Sequence, residues 1–550
     1  MRTRHLGALL GAVAIVIGAS CGGDDAGDDA DTTEAASNDN ADGQPSAGGD
    51  DTTRTSTSPA EGTGDEPDNE PEGSDAVLRF AWVAPSTVDP HLSTISSDLV
   101  VLYPAFDRLI HQAPNGDSVP GLASAWSFVD DGTVLELELR DDVVFQDGTP
   151  FDAETVAFNI ERGQTIEGSG VAADLAVIDG VEVVDQYTVR LQLNGPAASL
   201  PLVLSGAPGM MVSPESVGAG ASDAIPSGAG MYRITDYEPG VNISYEAWDS
   251  YWDPEAALLG GMEAKLIGDF VARLNGLRSD QLDVALIEPG QADEAGDAGL
   301  DVVNVKSVEF GQLQFNRSKP PLDDVAVRRA ISYAIDRQAL VDAVLFGWGE
   351  PDVQPYPEGF FAHSDEVEPD LYPYDPELAR RTLSEAGYDD GVEFELNVPA
   401  VDFVTTTAEA IQAMLADAGI DMKIVPVEVS QFGELVYVQE QGDAVISTGF
   451  SRNDPSQMFA ALFTDTLTNP GGATTPEIQQ LITSSLDSSV DPEQRAETLQ
   501  ELSRIVAEDA MNVVLFHTER PWATAPTVSG FESYLSGKPE FRGVSIEETE

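Results

Sequence analysis

Cysteine and paired histidines are nearly absent from this sequence of 550 residues. It contains one cysteine, Cys21, which excludes an intramolecular disulfide and any metal site built from several thiolates. No two histidines stand three or four residues apart, so the local zinc motifs are missing; the five are His5, His91, His111, His363 and His517. The sequence therefore predicts no resident metal ion and no cofactor.

Basic residues are also scarce. The chain has 27 Lys and Arg against 96 Asp and Glu, which gives a net charge of −69. A nucleic acid is excluded as a partner, because its phosphates would be repelled by such a chain. Solubility is the simplest role of the acidity, and adaptation to a salty environment is the alternative.

Long apolar runs are absent apart from one short run near the N-terminus. Residues 6–19 are apolar or small and follow Arg2 and Arg4. At roughly 1.5 Å per residue, a helix of this length is too short to cross a hydrocarbon core of ~30 Å. The form is that of a secretory signal peptide, which we predict to cover residues 1–20.

The single cysteine directly follows this segment. Ala19-Ser20-Cys21-Gly22 resembles the lipobox of bacterial lipoproteins, although Gly18 stands where an aliphatic residue is usual. The resemblance implies that Cys21 is lipidated, becomes the mature N-terminus and anchors an extracytoplasmic protein to the cell membrane. The alternative is a plain secretory signal followed by an incidental cysteine.

Residues 22–75 have no aromatic residue and no Leu, Ile, Val or Met, and Arg54 is their one basic residue. A segment of this composition has no apolar surface to bury. We therefore predict that residues 21–75 comprise the lipidated Cys21 and a disordered acidic linker to a folded body.

From residue 76 the pattern is that of an α/β protein. Leu135, Leu137 and Leu139 alternate with charged residues, which predicts a strand with one buried face. Asp152 is placed to cap a helix, and Asp336 is placed to end one helix and cap the next. Further helices predicted at 376–386, 407–418 and from 492 onward alternate with strands at 394–398 and 422–427, which is α/β organisation.

Two stretches carry a resemblance to a known family. Residues 324–347 read DVAVRRAISYAIDRQALVDAVLFG, and in residues 122–156 eleven positions match at fixed spacing: Ala123, Trp126, Asp131, Gly132, Leu139, Arg140, Phe145, Asp147, Gly148, Ala153 and Val156. Both stretches resemble the signature regions of the family 5 solute-binding proteins, the extracytoplasmic receptors of peptide and nickel ABC importers.

The resemblance implies a two-lobed, type II periplasmic-binding-protein-like fold of the α/β class with an extra third domain. The chain would cross between the lobes near residues 314–316 and 512–516. The implied parts are lobe I at 76–110, 224–313 and 514–550, the extra domain at 111–223, and lobe II at 314–513.

The resemblance also implies a function. It is that of a substrate-binding lipoprotein that captures a small solute between two closing lobes and delivers it to ABC permease subunits. A peptide or peptide-like solute is predicted, with an oligosaccharide, an opine or a metal chelate as alternatives. The alternatives are an extracellular enzyme, or a sensor or adhesion protein on the same fold. Paired acids lie on an exposed strand face or beside turns, so we predict no catalytic residue and no enzyme.

Residues 449–455 resemble the family loop that contacts ligand. In peptide-binding relatives an aspartate of this loop pairs with the α-amine of the peptide. Counted back from Asp454-Pro455, that place holds Ser451; if Phe450 instead takes the tryptophan position, the loop is shorter and the acid is missing. Either alignment predicts that this loop does not hold a peptide by its free amine.

The predicted ligand-binding residues come from three segments. Each has a structural alternative: Phe450 as a core aromatic, Arg452 as a surface charge, Asp454 as a turn residue, and the rest as packing or surface positions. The predicted set is Phe450, Ser451, Arg452, Asp454, Trp348, Ser86 and Thr87.

Overall fold

The computed structural model of the chain describes residues 74–218, 225–368, 370–450, 452 and 454–547, with Phe450 described by its backbone alone. The predicted signal peptide, Cys21, the linker up to residue 73 and Ser451 lie outside the described residues. The ranges predicted for lobe I, lobe II and the extra domain serve below as names for these parts of the chain.

Nineteen strands are formed by the described residues. In chain order they are β1 (Ser74–Trp82), β2 (Ile110–Gln112), β3 (Ser118–Pro120), β4 (Ala123–Val129), β5 (Val134–Leu139), β6 (Ile178–Asp185), β7 (Thr188–Leu193), β8 (Tyr232–Glu238), β9 (Asn242–Ala247), β10 (Leu259–Leu266), β11 (Val284–Leu286), β12 (Asp301–Phe315), β13 (Gly349–Pro351), β14 (Val392–Pro399), β15 (Ile420–Val427), β16 (Ala444–Phe450), β17 (Val513–Thr524), β18 (Val528–Ser529) and β19 (Ser545–Ile546).

Fifteen α-helices accompany the strands in the described part of the chain. They are α1 (Leu99–Leu102), α2 (Ala153–Thr165), α3 (Ala172–Leu175), α4 (Leu200–Val203), α5 (Pro214–Gly218), α6 (Phe270–Arg278), α7 (Ala292–Asp297), α8 (Val325–Tyr333), α9 (Arg337–Val344), α10 (Pro376–Glu385), α11 (Asp402–Asp417), α12 (Val429–Phe432), α13 (Pro455–Phe463), α14 (Pro476–Ser485) and α15 (Pro492–Glu508).

One mixed sheet of eleven strands runs through both lobes. Its order is β15-β14-β16-β12-β17-β11-β1-β10-β9-β8, with β13 paired to β17. The central strands β12 and β17 are antiparallel partners from Asp301 opposite Thr524 to Leu313 opposite Val513. This long pair belongs to lobe I at one end and to lobe II at the other, so the lobes are joined through continuous strands.

The pairing of β12 with β17 is irregular at two places. The register shifts between Lys306 and Phe310 and again between Gly311 and Gln312. A shift of this kind leaves residues of one strand without a direct partner and bends the strand locally. Both irregularities lie at the end of the range named lobe I, just before the crossing predicted at residues 314–316.

Each part of the chain has its own hydrophobic core. The extra domain has an antiparallel sheet of order β4-β5-β7-β6, whose Leu135 and Leu137 pack with Val156 and Ile160 of α2. The core of lobe II lies between α8, α9, α11 and the strands β14 and β15. In lobe I, β1, β9 and β10 contribute buried residues to a third core.

Most of the predicted elements are confirmed. Asp152 accepts a hydrogen bond from the N–H of Thr155 at the start of α2. Asp336 lies between α8 and α9 and caps α9 through the N–H of Ala339. Pro376 and Pro492 are the first residues of α10 and α15, as their Asp-Pro pairs predict.

The start of α11 was predicted wrongly. The helix predicted at 407–418 begins at Asp402, five residues earlier, and its N-cap residue Val401 makes no capping hydrogen bond through its side chain. The start has no capping signal to read, and the residues that follow include β-branched Val404 and three threonines, which disfavour helix in isolation. Burial of Val404 and Ala408 in the core of lobe II stabilises the extra turn.

Within the described ranges, no helix combines the length and the apolar character that a membrane crossing requires. The same ranges contain no cluster of three or more His, Cys, Asp or Glu side chains arranged to bind a metal ion.

Candidate ligand-binding cleft

The segment that contains Phe450 and Arg452 emerges beside the central strands. β16 runs antiparallel to β12, and the last residue pair between them joins Phe310 to Phe450. The strand β16 therefore ends next to Glu309.

Asp454 is already engaged within lobe II. Its side chain has no solvent exposure, and it accepts a hydrogen bond from the N–H of Ser456 at 2.8 Å as the N-cap of α13. Its two carboxylate oxygens lie 2.6 and 2.7 Å from Nη2 of Arg495. The carboxylate is thus neutralised by a cation of the protein itself.

Arg452 is accessible to solvent but has protein atoms close around its side chain. Its side chain is exposed to solvent, yet burial lowers the pKa of Arg452 while the charge of Asp174 raises it. Asp174 of α3 is exposed too; burial raises its pKa and Arg452 lowers it. The charge interaction thus links Arg452 of lobe II to Asp174 of the extra domain.

Ser86 and Thr87 lie in the loop after β1. The hydroxyl of Ser86 donates to the carboxylate of Asp98, which also accepts from the N–H of Ser86 at 3.1 Å. The hydroxyl oxygen of Thr87 accepts a hydrogen bond from the N–H of Asp89 at 3.0 Å. The buried Asp98 therefore shapes this loop, with Ser86 at its exposed surface.

Trp348 is half-buried and lies directly before β13, which pairs with β17. Nearby Phe346 is 67% exposed. A Cβ atom added at Gly290 of lobe I would lie 3.6 Å from Cζ of Phe346, so this ring of lobe II reaches the surface of lobe I.

A second approach between parts of the chain joins the extra domain to lobe II. The hydroxyl of Ser488 donates to the carbonyl of Gly132 at 2.6 Å, and the N–H of Ala198 donates to the carbonyl of Leu486 at 3.1 Å. Gly132 belongs to the Asp-Gly pair that carries part of the family resemblance. Its position against lobe II gives this pair a role beyond that of a turn.

We expect Gly132→Ala to destabilise the protein more than Gly148→Ala does. Both glycines have positive φ, +81° and +87°, so each substitution carries backbone strain of roughly 1–2 kcal/mol. A Cβ at Gly132 would also lie 2.7 Å from the backbone N of Ser489, whereas at Gly148 nothing lies within 4 Å. Urea denaturation of both variants measures the difference, and equal losses would contradict the close approach.

Three charged side chains lie together beside the candidate loop, and we call them the floor cluster: Glu309, Arg520 and Lys538. Nη2 of Arg520 lies 2.5 Å from Oε2 of Glu309. Burial lowers the pKa of Lys538, Glu309 raises it and Arg520 lowers it. Sequence reasoning missed this cluster because its members are 18 to 229 residues apart and follow no local pattern.

Comparisons with known proteins identify the class to which this fold belongs, that of the two-lobed binding proteins. The sequence pattern of the bacterial extracellular solute-binding proteins, family 5 (middle region), matches residues 117–470. The chain belongs to this family, and it is a solute-binding protein.

Individual relatives extend the agreement over most of the chain. The dipeptide-binding protein of Escherichia coli (strain K12) is 26% identical over 485 residues, which cover 81% of this chain and 89% of that protein. Heme-binding protein A of Haemophilus influenzae is 26% identical over 480 residues, covering 80% and 87%. The structure of HbpA2 from Haemophilus parasuis superimposes with a TM-score of 0.77 at 24% identity, covering 86% of this chain and all of that one.

Proposed function

We propose that this protein is the lipid-anchored, extracytoplasmic receptor of an ABC importer and that its ligand is a peptide. The observation that carries the proposal is the similarity over 81% of the chain to a dipeptide-binding protein. A peptide transport protein and glutathione-binding proteins among the other relatives support the same ligand class. The permease subunits of the importer are the implied protein partners.

The ligand lies in the cleft between the lobes, where Arg452, Ser86 and Thr87 are available to it, with Phe450, Ser451 and Trp348 as further contacts. Arg452 belongs to lobe II, whereas Ser86 and Thr87 belong to lobe I. A peptide that touches both lobes stabilises the closed arrangement by its differential affinity for it. No bond is made or broken in this cycle, so the proposed role is binding and delivery.

The peptide is not held by a salt bridge from its free amine to the loop at 449–455. Asp454 is the carboxylate of this loop, and it is neutralised by Arg495 and used as a helix cap. To release it for a ligand would leave the mostly buried Arg495 without its counter-charge, at a cost of several kcal/mol.

Binding of peptides should stabilise the protein and compact it without turnover. The probe is a pool of di- to pentapeptides, with a pool of free amino acids of the same composition as control. At about 100 times Kd, a peptide should add roughly 2.7 kcal/mol to the free energy of unfolding. Small-angle X-ray scattering should show a smaller radius of gyration with the peptide pool. An unchanged radius at saturation would contradict closure, and hydrolysed peptide would show an enzyme instead.

The lipid anchor is tested separately. Cys21→Ala should release the protein from membranes into the medium, because a lipidated cysteine is the proposed attachment and the described residues contain no membrane-crossing helix. Fractionation of cells that express each form measures the change, with Ser20→Ala as the matched control. Identical distributions of wild type and Cys21→Ala would overturn the anchor and leave the ligand proposal intact.

A further inference from the structure

The C-terminal segment of the chain brings a lysine beside β12. The N–H of Val308 donates to the carbonyl of Leu535 at 2.9 Å, and Ser307 forms a β-bridge with Ser536. The segment therefore lies along β12 where that strand is irregular. Lys538 follows two residues later and is half-buried beside Glu309 and Arg520.

The floor cluster contains more positive than negative charge. Glu309 and Arg520 neutralise each other, while the ammonium of Lys538 donates, among the described residues, one hydrogen bond, to the carbonyl of Ser536 at 2.9 Å. Within the described part of the chain, the side chain of Arg520 makes one hydrogen bond, through Nη2, which leaves Nε and Nη1 for another partner. The cluster thus has hydrogen-bond donors that no group of the described residues uses. Such a basic site stands out in a chain with 96 acidic and 27 basic residues.

Lys538 differs in this respect from Lys306 and Lys423. Lys306 lies 3.1 Å from Glu350, and Lys423 pairs with Glu393; the hydrogen bond to the carboxylate raises the pKa in each case. For Lys538 burial dominates and lowers the pKa. A partly buried cation without a dedicated counter-ion is unfavourable, and an anion placed beside it removes that cost.

The cluster borders the segment that is predicted to contact ligand. A Cβ atom added at Gly449 would lie 3.8 Å from Oε2 of Glu309, so the end of β16 runs directly past the carboxylate. Phe450 and Arg452 follow. A ligand bound at the end of β16 would therefore lie close to the floor cluster.

We propose that Lys538 and Arg520 form a subsite for a carboxylate of the ligand. The inference rests on the proposed function, because it assigns one end of the bound peptide. Arg520 offers its remaining guanidinium nitrogens, Lys538 offers a point charge, and Glu309 holds Arg520 in place as a positioning residue. The carboxylate is the C-terminal group of the peptide or an acidic side chain, and the experiment separates the two.

The test measures affinity by calorimetric titration with three synthetic tetrapeptide pools. One has free C-termini and no acidic side chain, the second is the same pool as C-terminal amides, and the third is amidated but carries one glutamate at varied positions. Wild type should bind the free-acid pool or the glutamate pool at least about tenfold more tightly than the neutral amides, the scale of a hydrogen bond to a charged group.

Variants of the floor cluster test whether it is responsible for the preference for carboxylate-bearing peptides. Lys538→Gln should reduce the preference for carboxylate about tenfold, because it removes the point charge. Lys538→Arg should keep it. The matched control is Lys423→Gln, an exposed lysine of the β15 edge, which should leave all three affinities unchanged. Circular dichroism and a melting curve establish that each variant is folded.

The outcomes separate the subsite from the proposed function. Equal affinity of wild type for all three pools overturns the carboxylate subsite and leaves a peptide receptor. A carboxylate preference that survives in folded Lys538→Gln also overturns it. Binding of none of the pools overturns the peptide assignment, and the subsite with it.

Discussion

Glu540→Gln is expected to lower the free energy of unfolding by about 3–5 kcal/mol. Glu540 and Arg108 are each 3% exposed and form two parallel hydrogen bonds, Nη1 to Oε1 at 2.7 Å and Nη2 to Oε2 at 2.6 Å. Burial lowers the pKa of Arg108, but Glu540 more than offsets it, so the guanidinium stays charged at every accessible pH. The substitution therefore leaves a buried cation without the carboxylate that is hydrogen-bonded to its guanidinium.

The measurement is urea denaturation followed by tryptophan fluorescence. Glu246→Gln is the matched control, since Glu246 pairs with Arg233 at 2.8 Å on an exposed surface. An exposed pair of this kind contributes about 0.5 kcal/mol or less, so the control should unfold almost as wild type does. Similar losses in the two variants would contradict the role of burial.

Asp454→Asn is expected to cost about 3 kcal/mol or more. Asparagine still caps α13, because Asn and Asp are equally good at that position. What is lost is the negative charge that faces Arg495, whose side chain is itself 11% exposed. The substitution thus removes the ion pair and keeps the helix cap, so the two contributions to stability can be measured apart.

A second Asp→Asn change provides the comparison. Asp491 caps α15 through the N–H of Gln494 but is exposed and has no recorded ion pair among the described residues, so Asp491→Asn should change stability by a few tenths of a kcal/mol. Asp454→Asn should also leave the ratio of affinities for free and N-acetylated peptides as in wild type. A ratio that collapses in this variant alone would show that Asp454 holds the peptide amine.

Local signals explain which parts of the fold could be predicted from sequence. The alternation from Leu135 to Leu139 and the caps at Asp152 and Asp336 are each contained within a few residues, so one sequence is enough to read them. The start of α11 was missed because Val401 makes no side-chain cap and the stability comes from burial in the core.

The candidate site depends on partners distant in sequence, which one sequence does not reveal. Asp454 appears alone as a turn residue, and only the fold brings Arg495 to it across 41 positions. Arg108 and Glu540 are 432 positions apart. The floor cluster is assembled in the same way, from two central strands and the C-terminal segment. Prediction of these pairings requires the strand register, which no local pattern fixes.

The two irregularities in β12 bear on the mechanics of the proposed closure. The ladder of hydrogen bonds is already interrupted at a bulge, so bending the strand pair there would break few of them. The regularly paired stretches on either side would then move as rigid bodies. The rotation axis would then pass through residues 306–312, and Glu309 lies on it. A force applied at the axis has no lever arm, so the floor cluster would attract a ligand equally in the open and closed arrangements, whereas ligand contacts away from the axis would supply the torque. One end of the ligand would thus attach it to the protein, and the other end would drive closure of the lobes.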